Sequence, residues 1–245
     1  MKILDSRLGL SVLEVNNEIS DTTSRLERAL LVHGVPKACP SSLFREYDQE
    51  VLQMVGHTHG IYQFITTEMV EFVKAFLGER TAIEVACGYG TLGRELGIPF
   101  SDLKVQAIPS VKAQYEMSGQ PVIRYPKDVI ERDAIASIKR HNPKVALACW
   151  ITEPVSIVGT PKNLFGPDES KILKRVQNYV VFGNLVTHGD KRIRSQPHYI
   201  VRADWLFTRS AQPNKNVIMI WGKLPINFDA IKEKFNLTVT YCAGL

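Results

Sequence analysis

Apolar and polar positions follow two alternating patterns along most of the chain. Short apolar runs are separated by segments whose apolar residues recur at helical spacing, which is typical of buried strands alternating with amphipathic helices. Strands are predicted at 81–86, 98–102, 121–125, 144–151 and 178–183, each joined to the next by a helical segment. This alternation predicts an α/β fold with a mostly parallel sheet covered by helices on both faces.

The last part of the chain departs from that alternation. Apolar runs at 205–209 and 217–221 flank a polar stretch, so they predict a hairpin. A short helix opened by Asn227 and a strand at 237–242 follow. We therefore expect antiparallel closing strands beside the parallel ones.

Residues 1–56 lie outside the strand–helix alternation. Leu26, Ala29 and Leu30 share one helical face, and a second helix is expected from Ser41 or Ser42 to about Gly56. We predict an N-terminal helical extension over 1–56 and an α/β domain over 57–245. The extension would pack on the core or on another subunit, so an oligomer could form through it.

A turn of small residues follows the first strand, with the sequence Glu84-Val85-Ala86-Cys87-Gly88-Tyr89-Gly90. Glycines let the backbone bend sharply and let a ligand approach closely, and the next helix directs its first amides at that ligand. Open α/β sheets bind nucleotides at such turns. Gly88, Gly90 and Gly93 also match the dinucleotide spacing, a weak signal alone. The acidic Glu84 favours a similarity to the first motif of class I methyltransferases.

Two further acids follow the turn. Asp102 ends the predicted second strand, 18 positions after Glu84. An acid near that distance accepts hydrogen bonds from ribose hydroxyls in dinucleotide and S-adenosylmethionine folds alike. A competing register, with the strand at 103–107, leaves no acid at the strand end. Asp133 either caps a helix or, as in methyltransferase folds, stands beside the adenine.

Composition narrows the setting. The chain has 245 residues, 44% of them hydrophobic, with no apolar run long enough for a membrane span and no signal peptide pattern. Its four cysteines are scattered without a Cys-x-x-Cys pair, so we expect free thiols in a reducing cytoplasm. His57 and His59 have no third ligand nearby in sequence, and no metal site is predicted.

The net charge is +5, and basic residues concentrate between His188 and Lys215. This stretch is either a solvated basic surface or a face for a phosphate-bearing substrate. It supports contact with nucleic acid only weakly, and no contact with a membrane is expected.

From about residue 57 to 222 the chain resembles a group of methyltransferase-like Rossmann proteins from bacteria and their viruses. The resemblance is carried by Tyr62-Gln63-Phe64, Ala82-Ile83-Glu84 through Gly90, Gly97-Ile98, Ser101-Asp102, Gly119-Gln120-Pro121, Asp128-Val129, Asp133-Ala134, Cys149-Trp150-Ile151-Thr152, Gly183-Asn184 with His188, and Trp205 to Ser210. Ala86 stands where the family motif has the first of three glycines. The resemblance implies a methyltransferase fold that binds S-adenosylmethionine, but it names no acceptor.

The predicted cofactor contacts combine the turn, the two later acids and the resemblance. They are Tyr62, Gln63, Glu84, Ala86, Gly88, Gly90, Asp102, Asp133, Ala134 and Trp150. Trp150 lies near the end of the fourth strand and could stack on the adenine or on an acceptor ring.

Methyl transfer requires the donor methyl and the acceptor atom in line and close, with a base only where the acceptor loses a proton. Candidate catalytic residues are Thr152 and Glu153 after the fourth strand, and His188 as a base. The chain lacks the Asn-Pro-Pro-Tyr clamp and the Pro-Cys nucleophile of DNA methyltransferases. Three functions stay open: an S-adenosylmethionine-dependent methyltransferase, a non-catalytic cofactor- or nucleotide-binding accessory protein, and an NAD-dependent oxidoreductase.

Overall fold

The computed structural model describes residues 17–154, 159 and 165–244. Its strands, in chain order, are β1 (Leu31–Val32), β2 (Val35–Pro36), β3 (Gln63–Phe64), β4 (Ala82–Val85), β5 (Phe100–Asp102), β6 (Ile130–Glu131), β7 (Val145–Cys149), β8 (Asn178–Asn184), β9 (His198–Arg202), β10 (Phe207–Thr208), β11 (Asn216–Trp221) and β12 (Thr238–Cys242). Its α-helices are α1 (Asn17–Leu30), α2 (Ser41–Arg45), α3 (Gln49–His59), α4 (Thr67–Leu77), α5 (Thr91–Leu96), α6 (Pro109–Met117), α7 (Ala134–His141), α8 (Glu169–Leu173), α9 (Leu185–His188) and α10 (Phe228–Lys234).

Eight strands form one sheet in the order β12-β9-β11-β8-β7-β4-β5-β6. The five strands from β8 to β6 are parallel. β11 lies antiparallel between β8 and β9, so β9 runs in the direction of the parallel strands, and β12 closes the edge antiparallel to β9. This is an open α/β sheet, mostly parallel and covered by helices, and the predicted mixture of parallel and antiparallel strands is confirmed.

Helices cover both faces of the sheet, and each face has its own apolar core. One core is built around α4 and α10 and includes Phe72, Trp205 and Ile218, all buried. The other lies under α7 and α8 and includes Ile138 and Ile172. Thr66 caps α4, because its hydroxyl accepts a hydrogen bond from the Met69 amide at 3.1 Å.

A third apolar cluster joins the N-terminal helices to the sheet. Leu26 of α1, Phe44 of α2 and Val55 of α3 pack with Phe64 and with Tyr89 of the glycine turn. The Tyr89 hydroxyl also donates to the carbonyl of His59 at 2.6 Å. The domain boundary at residue 56 stays a prediction, and side chains from both sides of it share this cluster.

The predicted third strand at 121–125 is wrong. Residues 121–126 have no regular structure, and β6 supplies the third strand. The Ile123 amide donates to the Gln106 side chain at 2.9 Å instead of joining a ladder, and Ile123 packs with the third cluster. Ile123 and Tyr125 of this stretch line a cavity and do not join the sheet.

The predicted hairpin is also wrong. β10 pairs with β3 in a separate two-stranded ribbon, whereas β11 inserts into the main sheet between β8 and β9, and β9 is not among the predicted strands. The predicted second N-terminal helix is interrupted at 46–48, giving α2 and α3. Residues 155–158 and 160–164, between β7 and α8, lie outside the described residues, as does the start of the N-terminal extension. In the described part of the chain, no helix has the length and apolarity that crossing a bilayer requires.

Candidate functional site

A cavity of about 760 Å³ opens at the carboxyl ends of β4, β5 and β7. The chain leaves β4 toward β5 on one side, and β7 pairs with β4 on the other. Strand order therefore reverses at β4, and open α/β sheets bind ligands at this reversal. The cavity has the size of a pocket for a cofactor or small molecule.

The glycine turn forms one wall of the cavity. Ala86, Gly88 and Gly90 all have positive φ, at 50°, 54° and 68°. A Cβ on Gly90 would stand 2.6 Å from the Phe100 ring, and a Cβ on Gly93 would stand 2.7 Å from Phe100 Cβ. Both glycines are therefore required by space, and Gly90 is also required by its positive φ. Ala86 adopts the left-handed conformation that the glycine of the family motif would adopt without strain.

Glu84 lies buried at the end of β4, and its Oε2 accepts a hydrogen bond from the Gly93 amide at 2.7 Å. Burial raises the pKa of this carboxyl to about 8, with a further contribution from the charge of Asp102, while the Gly93 bond acts in the opposite direction. Glu84 is therefore mostly protonated at neutral pH. Through this hydrogen bond to the Gly93 amide, Glu84 holds the glycine turn in place.

Asp102 ends β5, as the favoured register predicted. Its Oδ2 accepts from the Gly88 amide at 2.9 Å and its Oδ1 accepts from the Lys104 amide at 2.7 Å. Both groups fix the carboxylate at the cavity wall, of which Asp102 is part. A carboxylate has about four lone-pair sites, so it retains acceptor capacity for a ligand.

Asp133 and Ala134 line the same wall at the start of α7. Asp133 caps that helix, since its Oδ1 accepts from the Ile135 and Ala136 amides at 2.9 and 3.0 Å. The two alternatives for Asp133 are thus compatible in space. We refer to Glu84, Asp102 and Asp133 as the acid end of the cavity.

The cavity wall also contains Tyr62, Trp150 and Arg209, which we call the donor end. The Arg209 guanidinium lies over the Tyr62 ring, 3.8 Å from its centroid, and the Trp150 ring centroid is 5.8 Å from that of Tyr62. Trp150 has a φ of 55°, which is strained for a residue with a large side chain. Gln63 also lines the cavity, and its Nε2 donates to the Phe207 carbonyl at 2.8 Å, joining β3 to β10.

The segment between β5 and β6 covers the cavity. It contains a 3₁₀ turn at Val105–Ala107 and α6, from which Val111, Gln114 and Tyr115 reach the cavity wall. Gln106 ties this segment to the irregular stretch after α6 through its bond to the Ile123 amide. The cover is thus built from amide, aromatic and aliphatic side chains.

The three predicted catalytic residues are not brought together. Thr152 lies at the cavity wall, but Glu153 and His188 are buried outside it. The Glu153 carboxylate is bonded to the Arg192 amide and lies 3.3 Å from Arg192 Nε. His188 Nδ1 lies 3.0 Å from the Asn184 carbonyl, and the imidazole packs edge-on against Trp150. A catalytic role for any of them stays a prediction, and only Thr152 is placed to meet a ligand directly.

The residue that sequence reasoning missed is Arg209, which appeared only as one of several basic residues before Lys215. The structure separates that group. The Lys191 ammonium is buried against Glu169, Arg192 pairs with Glu153, and Arg209 enters the cavity. A basic residue directly after the sequence Trp205-Leu206-Phe207-Thr208, which the resemblance includes, was the available signal.

Comparisons with known proteins give structural likeness only. No family model matches the chain, and no curated protein matches it. Among solved structures it is similar to an rRNA methylase from Streptococcus thermophilus, with 12% identity, 64% of this chain and 94% of that chain covered, and a TM-score of 0.34. It is also similar to a Thermoplasma acidophilum protein (14% identity, 64% and 85% covered, TM-score 0.34). A further similarity is to a SAM-dependent methyltransferase from Agrobacterium tumefaciens (12% identity, 62% and 60% covered, TM-score 0.32). At these TM-scores the likeness carries no argument about activity.

Proposed function

We propose that this chain is an S-adenosylmethionine-dependent methyltransferase. The observation that carries the proposal is the use of amides at the glycine turn. Gly88 N–H donates to Asp102 and Gly93 N–H donates to Glu84. A dinucleotide is held by such amides binding its pyrophosphate. Here carboxyl groups already occupy them, and Asp102 would repel a phosphate.

The same arrangement suits a ligand of opposite character. S-adenosylmethionine carries a sulfonium, an ammonium group and ribose hydroxyls, and it has no phosphate. Asp102 would accept hydrogen bonds from the ribose hydroxyls with its remaining lone pairs, and its charge favours a cationic ligand. Asp133 and Ala134 would border the adenine.

The bound cofactor would supply an electrophilic methyl group, and the chain would supply position and exclusion of water. Gly88 lines the cavity without a side chain, so the backbone there can approach the ligand closely. The cover formed by α6 and the stretch around Ile123 would keep water from the reacting atoms. Thr152 would contact the acceptor from the end of β7. Positioning of this kind can provide most of the rate enhancement of a direct displacement.

A second candidate is a protein that binds the cofactor without transferring the methyl. One observation favours it: Glu153 and His188 lie outside the described cavity wall, which leaves Thr152 as the predicted catalytic residue in contact with it. An oxidoreductase that uses NAD is disfavoured by the occupied amides.

Calorimetry with S-adenosylmethionine, S-adenosylhomocysteine and NAD tests the cofactor. We expect heat from the first two and none from NAD. Binding of NAD alone, or of no ligand, would contradict the proposal. Formation of S-adenosylhomocysteine with candidate acceptors then separates the enzyme from the binding protein.

The cellular location, the source and the kind of acceptor are proposed from the sequence alone. We propose a cytoplasmic protein of bacterial or viral type, whose acceptor bears an anionic group such as a phosphate. Nucleic acid is a weaker candidate for that acceptor. Association of subunits through the N-terminal extension is proposed on the same footing, and size measurements in solution test it.

A further inference from the structure

Arg209 is held at the donor end by long-range contacts. Its amide donates to the Tyr62 carbonyl at 3.2 Å, next to the ribbon of β3 and β10. Gly56 of α3 makes room for its side chain, because a Cβ at that position would stand 2.6 Å from Arg209 Cβ. The guanidinium is therefore placed by the fold and does not lie there as a flexible surface group.

The charge of this guanidinium is not compensated within the described residues. No carboxylate lies within 4.0 Å of it there, and burial lowers its pKa. Nη2 lies 3.3 Å from the Gln120 side-chain oxygen, a long bond, while Nη1 is buried with no hydrogen-bond partner in the part of the chain that is described. Burying a cation without a counter-charge is costly. A ligand that brings an anion would remove that cost.

Trp150 presents a second donor without a partner. Its indole Nε1 is buried, and no described residue accepts its hydrogen. The other two tryptophans differ, since Trp205 Nε1 donates to the Phe235 carbonyl and Trp221 Nε1 donates to the Ile193 carbonyl. Guanidinium and indole N–H groups donate only, so the two free groups call for an acceptor on the ligand.

Aromatic surfaces frame these donors. The Tyr62 ring contacts the Arg209 guanidinium and also the Trp150 ring. Planar groups stack on such surfaces with a gain beyond the area they bury. The donor end therefore combines stacking faces with donors and a positive charge, whereas the acid end supplies acceptors.

Resting on the proposed function, we propose that the donor end binds the methyl acceptor, and that this acceptor is a planar ring carrying a carboxylate or a phosphate. Arg209 binds the anionic group with its free edge, and Trp150 Nε1 donates to the same group or to a ring substituent. Tyr62 and Trp150 contact the ring. These three residues are assigned to acceptor recognition, not to the chemical step.

The test uses the indole N–H signals of the ¹⁵N-labelled full chain, which contains three tryptophans. W150F assigns the Trp150 signal. Benzoate and phenyl phosphate serve as probes, with benzamide as the neutral isostere, each titrated with and without S-adenosylhomocysteine. We expect both anions to shift the Trp150 signal while the Trp205 and Trp221 signals stay in place. The anion that binds more tightly identifies the source of the charge.

We expect R209Q to weaken binding of the anions by roughly 10- to 100-fold, the range for losing a hydrogen bond to a charged group. R209K retains the charge and is expected to weaken it less. Unmoved Trp205 and Trp221 signals show that the variants are folded. The proposal is overturned if neither anion shifts the Trp150 signal, if benzamide shifts it equally, or if R209Q binds the anions as the parent does.

A competing source of the anion is the carboxylate of the cofactor itself. Calorimetry with S-adenosylhomocysteine and with 5′-methylthioadenosine, which lacks that carboxylate, separates the two. We expect R209Q to bind both as the parent does. A loss of about 10-fold or more for S-adenosylhomocysteine alone would overturn the acceptor assignment and leave the methyltransferase proposal standing. If the parent binds neither, the proposed function fails, and the titration without cofactor still decides whether the donor end binds anions.

Discussion

The acid end and the donor end of the cavity satisfy their polar groups in opposite ways. At the acid end, each carboxyl group accepts at least one backbone amide: Glu84 from Gly93, Asp102 from Gly88 and Lys104, and Asp133 from the first turn of α7. At the donor end, Arg209 Nη1 and Trp150 Nε1 have no partner among the described residues. The carboxyl groups of the acid end thus have hydrogen-bond partners within the fold, whereas the two donors of the donor end would gain partners from a ligand.

This difference suggests a division of labour. Groups that are already bonded are rigid and pre-organised, which suits a cofactor that is the same in every turnover. Unbonded donors gain most from a ligand that supplies acceptors, which suits discrimination between acceptors.

The strongest test of the acid end is Glu84→Gln. The folded-state pKa of Glu84 is about 8, against an ordinary value of 4.5. The folded state therefore binds this proton more tightly than the unfolded state does. The resulting contribution to the free energy of unfolding is largest at low pH and is lost as the pH rises to about 8. Relative to E84Q, the parent should lose about 1.4 kcal/mol per pH unit between about pH 4.5 and 8, on the order of 4 to 5 kcal/mol in total. Urea unfolding across this range measures it, and a constant difference would contradict it.

The packing of the glycine turn is tested by Gly90→Ala against Gly97→Ala. Both glycines have similar φ, at 68° and 65°, but a Cβ on Gly90 meets Phe100 whereas Gly97 has nothing within 4 Å. We expect G97A to lose about 1 kcal/mol from backbone strain alone, and G90A about 2 to 4 kcal/mol because overpacking adds to it. Equal losses in urea unfolding would show that space at Gly90 is not limiting.

Asp102→Asn tests the cofactor role of the acid end. The amide keeps an acceptor for Gly88 but loses the charge, so affinity for S-adenosylmethionine should fall roughly 10- to 100-fold in calorimetry. Asp128→Asn is the control, since Asp128 pairs with Arg94 at 2.8 Å on the surface. Undiminished affinity in D102N would place the cofactor elsewhere.

Arg209→Met gives the smallest expected effect, and its sign is informative. An uncompensated buried cation destabilises the fold, so replacing it with an apolar chain of similar length should raise the free energy of unfolding by about 1 kcal/mol. Arg45→Met, which removes an exposed partner of Asp204, should change it by less than about 0.5 kcal/mol. A clear loss of stability in R209M would mean that stacking on Tyr62 outweighs the buried charge.

The acid end could be predicted from sequence because it is local. Each of its three acids is placed by the strand or helix end nearest to it in sequence. Nucleotide-binding α/β folds commonly have an acid at such a strand end. The donor end could not, because Arg209 meets Tyr62 only through pairing of β3 with β10, whose residues are far apart along the chain. The apolar and polar pattern of β3 does not indicate that it pairs with β10, and the pattern of β10 does not indicate that it pairs with β3.

The two strand errors have physical causes that are visible in the sequence. Pro121 and Pro126 bracket the stretch read as the third strand, and proline cannot donate to a ladder. Residues 217–221 are apolar throughout, which is typical of a strand covered on both faces rather than of half of a hairpin. Reading that run as central would have placed β11 inside the sheet.

The position of β11 in the sheet determines when its neighbouring strands can pair as the chain is synthesised. β9 lies between β11 and β12, both of which leave the ribosome later, so it has no partner when it first emerges. Until residue 221 is available, β8 presents an unpaired edge of seven buried residues. Such edges recruit other chains. A nascent chain interrupted between 202 and 216 would therefore be prone to aggregate, and the interval before β11 is when this protein would most need a chaperone.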